Sequence, residues 1–266
     1  MLHIRSTRAL ALIALTQLIV ACGGAAGTSK GRSIAALPLV PYASALLFPA
    51  TGKLMALYSF NKTLNDSSGN GKNAKDSGTP TYVTGAPFGG DAIKFDGSGK
   101  AIVTAPLDIS VADLKQVTFG GWFKALSIAT PEYGIVSNDD GDFDRSLDID
   151  NRDAGGGINW SAFVGGTVVG KVAVKTGQWV FAAVAFNQAT LPGKFSFYVH
   201  NAAGLQIIRG ADNFDTSSVK TGVDIGRNPS FDQPFDGLAA NVFFYDGILT
   251  QTQIQNIIAK GPSAIP

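Results

Sequence analysis

Short apolar runs separated by turn-forming residues are the feature of this chain that most restricts its fold. From residue 53 onward, Gly, Asp, Asn and Pro punctuate these runs, a pattern typical of strands joined by tight turns. The predicted strands are 54–60, 92–95, 100–104, 117–124, 134–136, 147–149, 159–164, 179–186, 194–200, 205–208, 223–225 and 242–245. A dozen strands at this spacing predict an all-β sandwich of two packed antiparallel sheets.

One short helix is predicted at the C-terminal end, over residues 250–259. Ile254, Ile257 and Ile258 fall at helical spacing behind a capping Thr250, and the Gly261-Pro262 pair ends the pattern. The chain has 32 glycines, 17 phenylalanines and a single cysteine, Cys22, which lies before the domain. The domain must therefore be stabilised by packing. Its predicted bounds are 52–262, followed by a tail at 263–266.

The N-terminal residues predict export and lipidation. Arg5 and Arg8 precede an apolar run, 9–21, that is too short to span a bilayer and that ends at Cys22. The sequence of residues 18–22 resembles the lipobox of bacterial lipoproteins, which implies cleavage of a signal peptide, 1–21, and acylation of Cys22. Gly23 stands where retention in the inner membrane would favour Asp, so the resemblance implies an outer-membrane lipoprotein. Residues 22–51 lack periodicity and predict a flexible, lipid-anchored tether.

Charge and composition exclude several functions. Removing Arg5 and Arg8 changes the formal net charge from +1 to −1, which leaves no basic surface for nucleic acid. Acylated Cys22 would leave no thiol for a disulfide or a metal site. The only glutamate is Glu132, and the only histidine after the signal is His200, which lies near the end of a predicted strand. A Ser-His-Asp triad is therefore unexpected.

Several runs, in order, resemble the laminin-G-like jelly-roll domain of the concanavalin A-like superfamily. The resemblance is carried by segments 57–60, 64–73, 89–99, 117–124, 176–184, 194–199, 225–227, 235–237 and 244–249. It implies a two-sheet jelly roll over nearly the whole domain. It does not choose a function, because lectins, adhesion modules and glucanases share this scaffold.

A catalytic alternative comes from Asp148 and Asp153. Their spacing is that of the nucleophile and acid motif of jelly-roll glucanases, but both positions carry Asp in place of Glu. A retaining glycosidase holds its two carboxyl groups about 5–5.5 Å apart, and two shorter side chains widen that gap. We therefore expect no hydrolysis, and we interpret these residues as the outward side of a β-hairpin.

The resemblance also implies a calcium site in the first loop, at positions matched by Asp66, Asn70 and Asn73. The family's acidic ligand on the last strand is replaced by Ala240, and the loss of an anionic ligand predicts weak Ca²⁺ binding. A second acidic segment, 139–144, lacks the composition of an EF-hand loop and predicts a solvated loop.

Two candidate regions could bind a ligand. Trp160 points opposite to Asn159, Ser161 and Phe163 on a predicted strand, so it either stacks on a sugar or packs in the core. The second region is the loop 227–232, which places a guanidinium, an amide, an aromatic ring and a carboxylate side by side. Its candidate ligand contacts are Arg227, Asn228, Phe231 and Asp232. The same mixture also suits a buried loop clasp.

These observations predict a surface-anchored binding or adhesion module for a glycan or another surface protein. The alternatives are a glucanase-type glycoside hydrolase that uses Asp148 and Asp153, and a structural envelope component without a small ligand. A groove favours a binding module, whereas a large flat apolar patch favours the structural class.

Overall fold

A computed structural model describes residues 52–139, 141, 145–153, 156–164, 166–190, 192–212, 222–231 and 233–266. The predicted signal peptide, Cys22 and the tether lie outside these ranges. Within them the chain forms seventeen strands, an α-helix and a 3-10 turn. The strands are β1 (Lys53–Tyr58), β2 (Lys75–Asp76), β3 (Thr81–Thr84), β4 (Asp91–Asp96), β5 (Val103–Ala105), β6 (Gln116–Ala125), β7 (Tyr133–Ser137), β8 (Ser146–Asp150), β9 (Asn159–Val164), β10 (Thr167–Ala173), β11 (Val180–Asn187), β12 (Gly193–Asn201), β13 (Gly204–Asp212), β14 (Val223–Ile225), β15 (Arg227–Asn228), β16 (Gln233–Pro234) and β17 (Asp236–Asp246).

Two antiparallel sheets make the sandwich. The first sheet has eight strands in the order β13-β12-β11-β6-β17-β4-β3, with β1 also paired to β17. The second sheet has seven strands in the order β10-β9-β8-β7-β14-β5-β2, and β15 and β16 form a separate hairpin. The predicted fold class is therefore confirmed.

Alternating side chains fill the space between the sheets. On β6, Val117 and Phe119 point into this core, whereas Trp122 points to the outer face of the first sheet. On β8, Leu147 and Ile149 point inward and are fully buried. Because successive residues of a strand face opposite sides, Asp148 and its alternate neighbours Ser146 and Asp150 must face outward.

The C-terminal helix α1 (Gln251–Lys260) covers the outer face of the first sheet. Thr250 and Gln253 form a capping box, in which the Thr250 hydroxyl accepts a hydrogen bond from the backbone amide of Gln253 at 3.2 Å. Ile254 and Ile257 are fully buried beside outward-facing aromatic residues of the sheet. This apolar contact explains why the sheet needs a helix on that side.

The predicted helix is confirmed to within a residue at each end. The chain continues into a 3-10 turn, Pro262–Ala264, and Ala264 and Ile265 pack against the same outer cluster. The packed structure therefore continues past residue 262. The sequence pattern did not indicate β2, β3, β10, β15 or β16, which are short or exposed strands with weak alternation.

Candidate functional site

The outer face of the second sheet is polar where β8 and β9 pair. Across these strands Asp148 lies opposite Ser161, Asp150 opposite Asn159, and Ser146 opposite Phe163. The two aspartates are nonetheless buried, with 9% and 2% exposed. Buried polar side chains on an outward face require a cover, and the β15–β16 hairpin provides part of it.

A close backbone contact brings that hairpin onto β7. Gly134 faces outward from β7, and a Cβ atom built there would lie 2.1 Å from the backbone nitrogen of Asn228. Hydrogen bonds hold the loop beyond β15 in place. The side-chain amide of Asn228 donates to Asp139 Oδ2 at 2.8 Å, and the Ser230 hydroxyl donates to the backbone carbonyl of Asp139 at 2.9 Å. The hairpin therefore forms a fixed wall beside β8.

Between this wall and β8–β9 lies a cleft of about 180 Å³, which we call the second-sheet cleft. It combines two aromatic rings with several polar groups. Phe231 is 59% exposed, and Phe163 on β9 is half-buried. The described lining residues are Asp139, Gly141, Ser146, Asp148, Arg152, Phe163, Asn228, Phe231 and Gln233.

A chain of polar contacts fixes one rim of the cleft. Arg152 Nε and Nη2 donate to Asp150 Oδ2 at 3.0 and 2.5 Å. Arg152 Nε also lies 3.4 Å from Glu132 Oε1, and the Gln233 amide donates to the other carboxylate oxygen of Glu132. Arg152 is thus oriented by two carboxylates while its side chain stays half exposed.

Asp148 has the most perturbed environment in the cleft. Burial is the largest cause that raises its pKa, and the charges of Asp150 and Asp139 act in the same direction. The hydrogen bond from Ser146 and the charge of Arg152 lower the pKa, and the net value is about 8. The Ser146 hydroxyl bonds to Asp148 Oδ2, whereas Oδ1 has no hydrogen-bond partner. The raised pKa favours the carboxylic acid form of Asp148 at neutral pH, and Oδ1 is enclosed by the protein.

The prediction that Trp160 could form a stacking platform is wrong. Trp160 is fully buried in the core between the sheets, opposite Ile149 on β8 and Val172 on β10. The predicted alternation along β9 is correct, but the core lies on the Trp160 side. The ring that reaches the cleft from this strand is Phe163, whose signal was its position among the polar residues Asn159 and Ser161.

The loop 227–232 contributes to the cleft and also clasps a neighbouring loop. Phe231 is exposed and lines the cleft, whereas buried Asn228 acts as a clasp on Asp139 and also lines the cleft. Arg227 is oriented elsewhere, with its Nη2 3.8 Å from Asp224 Oδ2. Asp232 lies outside the described residues.

The two aspartates of the catalytic alternative differ in their surroundings. Asp148 lines the cleft, whereas Asp153 accepts a hydrogen bond from the Asn159 amide at 2.9 Å and lies outside the lining. Asp139, expected in a solvated loop, is buried and bonded to Asn228. The cleft residues Arg152 and Gln233 and the orienting Glu132 carried no motif, because their contacts join distant parts of the chain.

The residues of the predicted calcium site are held by hydrogen bonds within the first loop and to β1. Partial burial alone would raise the pKa of Asp66. Hydrogen bonds from the Ser68 side chain and from the Leu57, Ser68 and Lys72 backbone amides nevertheless hold that pKa below its ordinary value. The Asn70 amide donates to two carbonyl groups of β1, and Asn73 Oδ1 accepts from the Asp66 amide.

Ala240 occupies the last-strand position of the predicted calcium site. Its side chain has no ligand atom and is buried in a small apolar cluster. Throughout the described ranges, no group of three or more His, Cys, Asp or Glu side chains could hold a metal ion. Among those residues there is also no helix long and apolar enough to cross a membrane.

Two larger clefts lie elsewhere. One of about 540 Å³ is lined by Lys72, Lys75 and the turn after β5, and its described lining includes no aromatic residue. The other, of about 340 Å³, lies on the outer face of the first sheet beside Phe88, Trp122 and Trp179. We favour the second-sheet cleft because it combines an exposed aromatic ring with converging polar groups and an unsatisfied buried carboxyl.

The fold and the comparison with known families agree. The laminin G family model, described as the Concanavalin A-like lectin/glucanases superfamily, matches residues 96–255, and the chain belongs to this family. No curated protein sequence matches the chain.

Solved structures with the same fold come from carbohydrate-active enzymes and toxins. Domain 4 of AbnA, a GH43 extracellular arabinanase from Geobacillus stearothermophilus, in complex with arabinotriose, is 23% identical with a TM-score of 0.57. The match covers 77% of this chain and 98% of that domain. An arabinofuranosidase complexed with arabinofuranosyl-alpha-1,2-xylobiose is 13% identical with a TM-score of 0.57, over 75% of this chain and 50% of that protein.

The binding domain of Botulinum Neurotoxin DC in complex with SialylT is 14% identical with a TM-score of 0.55. Here the match covers 78% of this chain and 50% of the toxin domain. The chain thus spans nearly all of the arabinanase domain but about half of the other two proteins. At these identities the likeness shows the fold.

Proposed function

We propose that this protein is a glycan-binding module and that the second-sheet cleft is its binding site. The observation that carries the proposal is the exposed ring of Phe231 beside Phe163, Asp148 and Arg152. Sugars present apolar C–H faces and hydroxyl edges, so a site needs an aromatic surface and polar groups that converge on the same volume. The cleft supplies both on rigid strands and a clasped loop.

The relatives support the same class of ligand. Domain 4 of the arabinanase, which this chain matches over nearly its full length, was solved with arabinotriose. That domain accompanies a catalytic protein, and a separate binding module is the simplest role for the same fold here. We extend this role to the present chain as a proposal, since the fold alone hosts several functions.

We propose binding without hydrolysis. Glycosidases need two carboxyl groups at about 5–5.5 Å or about 6.5–9.5 Å on either side of the scissile bond. In the cleft, Asp150 is paired with Arg152, and the Asp139 carboxylate accepts from Asn228. Asp153 is bonded to Asn159. Among the described residues, these contacts leave Asp148 without an unengaged second carboxylate to act as nucleophile or base.

We further propose that Cys22 anchors the domain to the outer membrane as a lipoprotein, which would place the cleft outside the cytoplasm. The lipobox-like residues 18–22 support this. The test is Cys22→Ser expressed in the native host. Membrane fractions should lose the protein, or it should accumulate as uncleaved precursor, whereas normal processing and membrane retention would contradict the anchor.

The binding proposal is tested with a glycan array probed by the full-length protein. Phe231→Ala should lower the affinity for a bound glycan about tenfold, because truncation of an aromatic anchor costs about 1–2 kcal/mol. Phe88→Ala is the matched control, since Phe88 is also exposed, at 54%, but lies in the cleft of the first sheet. Loss of binding in Phe88→Ala alone would assign the site to that other cleft, and the absence of binding to any glycan would refute the function.

A further inference from the structure

The cleft carries an excess of negative charge. Asp139 lines it, and Asp150 and Glu132 lie behind its rim. Among the described lining residues Arg152 is the only basic one, and it already pairs with both Asp150 and Glu132. The nearby Arg227 faces Asp224. In the described part of the cleft the charge of the one cation is thus already balanced by two carboxylates.

This distribution discriminates between classes of glycan. A sialic or uronic acid would bring a further negative charge beside Asp139 and Glu132 and would lose water without gaining a counter-ion. A neutral sugar can instead use the carboxylate oxygens and Gln233 as hydrogen-bond partners for its hydroxyl groups. The charge pattern therefore favours uncharged saccharides.

Asp148 adds no charge to the cleft when it is protonated. It lines the cleft but is nine-tenths buried, and its Oδ1 is enclosed by the protein without a hydrogen-bond partner. The charged groups that act on it are Asp150 on its own strand, Arg152 in the following turn and Asp139 after β7. The facing residue on β9 is the neutral Ser161. Two of the three neighbouring charges are negative, and burial also disfavours a carboxylate.

Resting on the proposed function, we infer that the second-sheet cleft selects neutral glycans over sialylated or uronic ones.

The selectivity is tested with matched glycan pairs, in which one member is neutral and the other differs only by an added sialic or uronic acid. The full-length protein should bind the acidic member at least about tenfold more weakly than the neutral one at pH 7 and low salt. Equal or tighter binding of the acidic members would overturn the inference while leaving the glycan-binding function intact. Binding to neither member of any pair would instead refute the function itself.

Discussion

The buried carboxyl of Asp148 makes the stability of this protein depend on pH in an unusual direction. Paired surface carboxylates generally lose stabilising interactions when acid protonates them. Asp148 behaves oppositely, because the folded state holds its proton up to a pKa of about 8 whereas the unfolded chain releases it near 3.8. Between these values the native state binds one more proton than the unfolded state, so stability falls as the pH rises.

The magnitude follows from the width of this window. Each pH unit removes about 1.4 kcal/mol from the free energy of unfolding, so the step from pH 5 to pH 7 removes about 3 kcal/mol. For a domain of this size that corresponds to a decrease in Tm of about 5–11 °C. The aspartates with lowered pKa values, Asp66 and Asp96, titrate below this range and leave it undisturbed.

The assay is thermal unfolding at pH 5, 6, 7 and 8 for the wild type, Asp148→Asn and Asp113→Asn. Asp113 is an exposed aspartate and serves as the matched control. Asp148→Asn should lose most of the pH dependence and should gain stability relative to the wild type as the pH rises. Asp113→Asn should follow the wild type. Parallel curves for all three proteins would mean that Asp148 is ionised in the folded state, and the reasoning about the cleft would fail.

Three further predictions concern other parts of the structure. Gly134→Ala should destabilise the protein by about 1–3 kcal/mol and weaken glycan binding, because the added methyl group pushes the hairpin off β7; unchanged urea unfolding and affinity would contradict that contact. Trp160→Ala should cost about 3–5 kcal/mol in urea unfolding because it empties a core site, and a stable variant that has lost only binding would restore Trp160 as a ligand contact. Millimolar CaCl₂ should leave Tm close to its value in EDTA, since backbone amides already occupy the Asp66 carboxylate; a large increase in Tm that Asp66→Ala abolishes would show a calcium site.

Local pattern predicted the fold well because both sheets obey the alternation of a strand. The sequence pattern also predicted the capped helix, because Thr250 and Gln253 form a capping box and the isoleucines follow helical spacing. Alternation also placed Trp160 and Phe163 on opposite faces of β9. It could not say which face was the core, because each face carries an aromatic ring and the deciding neighbours, Ile149 and Val172, come from other strands.

The rest of the site depends on contacts between distant residues. The hairpin reaches the cleft because Gly134, nearly one hundred positions earlier, leaves room for Asn228. The core also holds a charge that no pattern indicated. Arg145 is 1% exposed, and its Nη1 donates to the carbonyl groups of Ile109 and Leu114 at 2.7 and 2.6 Å. A guanidinium that satisfies main-chain acceptors of a remote loop leaves no local sequence signal.

The most direct test of the central claim is an NMR titration of the ¹⁵N-labelled protein with the neutral glycan that binds best on the array. The amide signals of Asp148, Phe163 and Phe231 should shift in a saturable manner, and the indole signal of Trp179 in the cleft of the first sheet should stay in place. Shifts confined to Trp179 and its neighbours would contradict the second-sheet cleft as the glycan site.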